Sequence, residues 1–409
     1  MKLSKKALSL VAFSLLTTAT FADTNQDIEA LKAEIQELRE ITQTLADETS
    51  SLKTGVGFNV VDTTQSYSGL ASAASKVYYS KSPLSIGGYG EMFYAYNKED
   101  GKSLLDVYRF VPYIGYRFSD NIILNAELEF EHGGAEDGNT ASGYVVVEFM
   151  YLDFLINDYA NIRAGHMLVP MGLINERHEP TLFTTVQRPQ TEKYIIPSTW
   201  HDSGVMVYGQ VTDNLSYKLA AISALKTEAD GKSWIRDGRG GSFKQTDPNL
   251  GFVARMDYTG INGLLVGASV YNAPSGDETS SRTTISDLHL DYKQSGFRLY
   301  GVYSQVDRSD AEDINATAVE SAYGGYLNAS FDILSLTNSS DMLPLFVQYE
   351  QLSPQDKLAD GTGNESTKIT TVGLNYFPHE QVVIKFDHAM QKGGFGDSDT
   401  TSISLGFIF

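Results

Sequence analysis

From Ile86 onward the chain breaks into segments of about ten residues in which apolar and polar positions alternate, the length and pattern of tilted membrane strands. They run 86–97, 104–118, 121–132, 143–157, 159–168, 203–211, 214–223, 249–258, 264–272, 283–294, 296–306, 320–333, 342–352, 366–377, 380–391 and 400–409. Short turn-rich joins such as Ser119-Asp120, Thr212-Asp213 and Pro378-His379 alternate with longer polar ones at 133–142, 224–248, 307–319 and 353–365. That rhythm predicts an all-β fold, an antiparallel transmembrane β-barrel of about sixteen up-and-down strands over 86–409.

Side-chain parity assigns the two faces. In the third segment Ile122, Leu124, Ala126, Leu128 and Phe130 share one side, and Asn125, Glu127, Glu129 and Glu131 the other. Lipid does not accept a row of carboxylates, so the second side is expected to face water inside the barrel. The neighbouring segment sends Tyr108, Phe110, Pro112, Ile114 and Tyr116 outward and Arg109, Tyr113 and Arg117 inward. Arg109, Arg117, Glu127, Glu129 and Glu131 are therefore the expected pore-lining charges. Opposed rows of acid and base can set a transverse field or a stiffening ladder of ion pairs, and parity alone does not choose.

A different period precedes the strands. From Ile28 a heptad repeat places Ile28, Ile35, Thr42 and Thr49 at a, and Leu31, Leu38, Leu45 and Leu52 at d. Its flanks pair Asp27 with Lys32, Glu34 with Arg39 and Glu48 with Lys53, the g-to-e matching of parallel chains. Residues 23–53 are expected to form a short α-helical coiled coil, a self-associating stalk whose contacts are Ile28, Leu31, Ile35, Leu38, Leu45 and Leu52, with a reach on the order of 40 Å. Residues 54–85 carry no sustained period and read as a linker or plug-like segment.

The first 22 residues change where this barrel belongs. Lys2, Lys5 and Lys6, the apolar run Ala7–Leu16 and Thr20-Phe21-Ala22 have the form of a secretory signal peptide. The last residues, T-T-S-I-S-L-G-F-I-F, put Ile403, Leu405, Phe407 and Phe409 on one strand face. A terminal aromatic such as Phe409 resembles the signal read by the bacterial outer-membrane assembly machinery. Removing the three leader lysines leaves 28 basic against 51 acidic residues, a net charge of −23. With 24 Tyr, 20 Phe, 36 Gly and no Cys, the composition fits an outer-membrane barrel. Basic patches for nucleic acid are lacking, and neither a G-x-S-x-G elbow nor an H-E-x-x-H helix occurs. Glu176, His178 and Glu179 are metal-ligand types, but neighbours in so short a turn do not converge on one ion. No enzyme activity, cofactor or metal is expected.

One join stands out. Residues 170–202 hold four prolines and almost no alternation, too long for a plain connection. In a barrel this wide the sensible course is inward, as a constriction loop presenting Glu176, Arg177, His178, Glu179, Arg188, Glu192 and Lys193 to solutes.

The runs G-Y-G-E at Gly88–Glu91, Arg109-Phe110, E-L-E-F-E-H at Glu127–His132, R-A-G-H-M-L-V-P-M-G-L-I-N-E-R-H-E-P at Arg163–Pro180 and I-I-P-S-T-W at Ile195–Trp200 resemble the outer-membrane porins related to the phosphate-selective porin O/P group. The resemblance covers residues 86 to about 223. It implies a sixteen-stranded, usually trimeric channel in outer-membrane lipid. The arginine ladder and lysine cluster of the phosphate-selective members have no counterpart that aligns here. The expectation is thus passive diffusion of small hydrophilic solutes or ions, general or weakly cation-preferring. The alternatives are an anion-selective pore of the phosphate type, or a structural envelope tether for which the barrel is the anchor.

Overall fold

The computed structural model describes residues 32–45, 61–134, 143–226, 234–240, 244–275 and 280–409. The chain forms two units, Met1–Asn59 and Val60–Phe409. In the first, residues 32–45 are helical (α1). Ile35, Leu38, Ile41 and Leu45 are exposed along it, and the Thr42 hydroxyl donates to the Leu38 carbonyl at 2.6 Å. Ile28, Leu31 and Leu52, like the leader over 1–22, lie outside the described residues.

The second unit is a closed barrel of sixteen antiparallel strands. In chain order they are β1 (Leu84–Asn97), β2 (Lys102–Ser119), β3 (Ile122–Glu131), β4 (Val145–Phe154), β5 (Asn161–Leu168), β6 (His201–Thr212), β7 (Leu215–Ser223) and β8 (Leu250–Tyr258). There follow β9 (Leu264–Pro274), β10 (Arg282–Gln294), β11 (Phe297–Ser309), β12 (Val319–Asp332), β13 (Pro344–Leu358), β14 (Thr367–His379), β15 (Val382–Gly393) and β16 (Ser398–Ile408). Each strand pairs with its chain neighbours, and β1 pairs with β16 from Tyr89↔Ile408 to Asn97↔Thr400. Phe409 extends that seam: its N–H and carbonyl exchange hydrogen bonds with Gly88, both 2.9 Å, and its ring stacks on Phe110. Closure leaves no unpaired edge, which is what a sheet in lipid requires. Among the described residues no helix is long and apolar enough to cross a membrane, which says nothing of the strands.

All sixteen alternating segments are strands. The largest departures are β4, which spans Val145–Phe154 rather than 143–157, and β11 and β13, which run on to Ser309 and Leu358, so 307–309 and 353–358 are strand rather than loop. Apolar side chains cover the outside: Leu288, Tyr303, Leu327, Val347, Phe386 and Ile403 are all exposed. Along β3 burial alternates as parity predicts, with Asn125, Glu127 and Glu129 inward. The expectation that this row faces water is corrected. Glu127 and Glu129 are 0% and 1% exposed, because this part of the barrel is filled by two pieces of the chain.

The first piece is residues 61–83 with helix α2 (Ser72–Tyr79). Six of its eight residues are buried, and it packs on β1, β2 and β3. Asn125 donates to the Ala74 carbonyl at 2.8 Å. The Tyr78 hydroxyl donates to Asp153, which Arg163 grips with two hydrogen bonds of 2.9 Å. The helix comes so close to β2 that a Cβ on Gly115 would sit 2.5 Å from Val77 Cβ. The second piece is the connection from β5 to β6.

Candidate functional site

Residues 169–200 leave β5 and return to β6 through a neck closed by hydrogen bonds. Val169 N–H donates to the Trp200 carbonyl at 2.9 Å. Asn175, fully buried, donates to the carbonyls of Val169 (2.7 Å) and Trp200 (2.8 Å) and accepts from Trp200 N–H at 2.7 Å. One side chain thus fastens both ends of a long excursion. A short helix, α3 (Gln190–Tyr194), lies within it.

Beyond the neck the segment bonds to inward side chains around the barrel. Toward β2 the His178 carbonyl accepts from Arg109 at 2.9 Å. At β7 Lys218 Nζ lies 2.7 and 2.6 Å from the two Glu176 oxygens, and Arg255 of β8 stands 3.8 Å from Glu176 Oε2. Arg255 also donates to the Gly172 carbonyl (2.6 Å), and Gly172 N–H donates to Asp287 of β10 (3.1 Å). Farther round, Arg177 pairs with Asp291 of β10 at 3.5 Å, and Arg298 of β11 donates to the Leu182 carbonyl at 2.8 Å. Thr184 meets Tyr300 of β11 and Asn328 of β12. On β15 Lys385 donates to the Thr185 carbonyl (3.0 Å), and Asp387 accepts from Val186 N–H (2.6 Å). Since these partners alternate with lipid-facing residues, the segment lies inside the barrel.

Two carboxylates fix the segment, one to itself and one to α2. Glu192 Oε1 accepts from Leu173 N–H (3.0 Å), Ile174 N–H (3.1 Å) and the Tyr326 hydroxyl (3.1 Å). Gly172, at φ +66°, allows this approach, because a Cβ there would lie 2.6 Å from Glu192 Oε2. Glu179 caps α2, accepting from Ala73 N–H at 3.0 Å and Ala74 N–H at 3.1 Å, so the two pieces inside the barrel are joined. Burial pushes both carboxyls up, each to about 7, against the pull of those backbone donors. Burial works against a charged His178, but Glu127 and Glu148 beside it outweigh that and raise it to about 9.

Most inward charges are partnered. Arg109 holds Glu91 through Nε (3.2 Å) and Nη2 (3.0 Å), Arg255 Nε lies 2.8 Å from Asp257, and Arg298 Nε lies 2.9 Å from Asp291. These pairs lie within β8 or join β2 to β1 and β11 to β10, and among the described residues none joins Arg109 or Arg117 to Glu127, Glu129 or Glu131. Arg117, half-buried near the end of β2, donates to the Ser80 carbonyl at 3.1 Å, and Glu131 is half-buried. Arg188 and Lys193 are half-buried as well.

Space remains on both sides of the segment. A cavity of about 470 Å³ opens at the short-turn end, lined by Asp158, Arg177, Lys218, Asp257 and Tyr208. Another of about 160 Å³ lies toward the opposite end, between Arg188 and the inner wall of β13 to β16, with Glu350 and Asp387 in its lining. Bases and acids meet in each.

Parity alone missed Glu148. Regular alternation would put it with Met150 on the lipid side, but β3 and β4 slip register between Glu127↔Phe149 and Leu128↔Val147. The bulge buries both Glu148 and Phe149. A lone carboxylate in the run V-V-V-E-F-M was the available signal.

The chain is 34% identical over 353 residues to an uncharacterized protein of Aquifex aeolicus (strain VF5), with 80% of this chain and 79% of that one covered. No family model matches. Among solved structures, OmpTdeltaL8, a loop L8 deletion mutant of the Vibrio cholerae outer membrane protein OmpT, matches at TM-score 0.55 and 10% identity, covering 80% of this chain and 99% of that one. The anion-selective porin from Comamonas acidovorans matches at TM-score 0.55 and 12% identity, covering 80% and 99%. The outer membrane channel DcaP of Acinetobacter baumannii matches at 0.54 and 12%, covering 80% and 97%. At these identities the likeness is one of fold, that of a porin-like outer-membrane barrel.

Proposed function

We propose that this chain, which belongs to the family of the uncharacterized Aquifex aeolicus protein, is an outer-membrane porin through which small hydrophilic solutes and ions diffuse passively. The observation that carries this reading is the segment 169–200, hydrogen-bonded from β2 to β15 across a sixteen-stranded barrel, with a polar cavity on either side of it. A barrel of this size left open would pass solutes with little discrimination, and a segment anchored at many points supplies a fixed narrow passage. Of the seven residues expected to meet solutes, Arg177, Arg188 and Lys193 are half-buried in that constriction, whereas Glu176, His178, Glu179 and Glu192 are buried and hold it in place. Arg109, Glu127 and Glu129 are buried in the wall beside it, which they stiffen, and Arg117 and Glu131 are half-buried there.

The selectivity we propose is general with a weak preference for cations. The net charge of −23 without the leader favours it. The short-turn end faces the periplasm in this reading, and α1 belongs to a periplasmic coiled-coil stalk that holds a homotrimer together. Phe409 serves as the assembly signal. Single-channel recording in a planar bilayer, with reversal potential under a KCl gradient, tests the proposal. Steady channels reversing toward the cation potential are expected. Anion reversal would shift control to Arg177, Arg188 and Lys193, and silence from protein shown to be folded would sink the porin reading.

A further inference from the structure

Glu127 of β3, Glu148 of β4 and His178 of the segment across the lumen converge although they come from three separate stretches of chain. His178 Nε2 lies 3.2 Å from Glu127 Oε1 and 3.3 Å from Glu148 Oε2, and one ligand atom from each residue falls within 4.8 Å of the others. Tetrahedral coordination with bonds of about 2.0 Å separates neighbouring ligand atoms by roughly 3.3 Å. Two edges of such a polyhedron are therefore already in place.

The ring is also oriented for this work. His178 Nδ1 lies 2.8 Å from the Asn175 carbonyl, which can only accept, so Nδ1 carries the hydrogen and Nε2 is turned to the carboxylates. Ligating histidines are held in this way by an outer hydrogen bond. Asn175 is itself fixed by its three bonds to the neck.

An independent observation points to a missing partner. Glu127 Oε2 and Glu129 Oε1 are buried with no hydrogen-bond partner among the described residues, and Glu148 Oε2 faces His178 Nε2 at 3.3 Å. The three side chains belong to residues no more than 1% exposed. A single Nε2–H cannot serve two carboxylates, and the nearby Arg109 is committed to Glu91. Glu127 Oε1 also accepts from the Tyr89 hydroxyl at 3.3 Å, but the buried carboxylate oxygens left without donors are costly, and a cation set between them removes the cost.

We infer that Glu127, Glu148 and His178 bind one divalent first-row transition cation, which ties the segment across the lumen to β3 and β4. One imidazole and two carboxylates form a nitrogen and oxygen donor set that suits zinc and its neighbours. Magnesium, which keeps an octahedral shell of waters, is poorly served in so closed a place.

The experiment uses the full chain folded in detergent, stripped with chelator, and titrated with zinc chloride by calorimetry, with metal content measured after gel filtration. Zinc-edge X-ray absorption is recorded on the loaded protein. The expected result is one zinc per chain, a first shell of nitrogen and oxygen with a single imidazole, and at least a tenfold loss of affinity in E127Q, E148Q and H178Q. The exposed control E312Q should bind as the unmodified chain does. Each variant is first checked for the gel mobility of the folded barrel. Absence of a stoichiometric zinc, or an unaltered affinity in folded H178Q, overturns the site. Should the variants fail to fold, the absorption spectrum of the unmodified chain decides alone, since a first shell with no imidazole, or with several, also overturns it.

Discussion

The Glu176–Lys218 pair fastens the segment across the lumen to β7, and a double-mutant cycle measures what it contributes. Both residues are 3% exposed, and Nζ stands 2.6 Å from Oε2. At an effective dielectric of about 20 this attraction is roughly 6 kcal/mol, before the opposing cost of taking both charges out of water. Removing one partner of a buried pair costs about 3–5 kcal/mol. In K218M, Arg255 remains 3.8 Å from the stranded carboxylate. That residual contact places the expected loss near 3 kcal/mol, and E176Q is expected to cost about the same. The double variant, with neither charge left unpaired, should cost little more than either single change, giving a coupling energy of about 3 kcal/mol. Urea unfolding in lipid vesicles, followed by fluorescence, is the assay. The chain has two tryptophans, and Trp200, buried at the end of this same segment, reports its seating. If the double variant instead loses the sum of the two single losses to within about 0.5 kcal/mol, the pair is not the anchor argued here.

Three further outcomes follow from the same geometry. N175D keeps the shape of the side chain but cannot donate to the Val169 and Trp200 carbonyls; it should cost about 2–4 kcal/mol and make single-channel current noisier, and a quiet channel of unchanged stability would count against the neck. Burial raises the Glu192 carboxyl to about 7 from 4.5, so the folded protein holds a proton that the unfolded chain releases. This contribution, on the order of 3 kcal/mol, is present below pH 4.5 and lost as pH rises through about 7, and E192Q should flatten that part of the stability profile. Deleting residues 23–53 should shift the protein from trimer to monomer in native mass spectrometry while conductance per barrel persists, and an undiminished trimer would remove the stalk from oligomerisation.

The strands were legible because lipid on one side and packed interior on the other enforce a period of two. Lys218, Arg255, Asp287 and Asp387 could be set inward by parity alone. What each one touches could not be read: Lys218 reaches Glu176 and Asp387 reaches Val186 only because a connection without periodicity lies across the lumen. Helix α2 escaped notice for a related reason. Its residues S-A-A-S-K-V-Y-Y are buried nearly all round, so no amphipathic stripe marks them. The His178 cluster was hidden twice over, by a separation of 51 residues between His178 and Glu127 and by the bulge that turns Glu148 inward.

The wide spread of the segment's partners dictates an order of events during maturation. It is synthesised between β5 and β6, yet Gly172 bonds to a residue 115 positions away and Val186 to one 201 positions away. Its full set of partners does not exist until β10 to β15 have been threaded and paired. Contacts of such long range form late, after their loop-closure cost has been met by the strand ladder. Until those contacts form, the passage is narrowed only by residues 61–83, and seating of the segment is what completes the constriction.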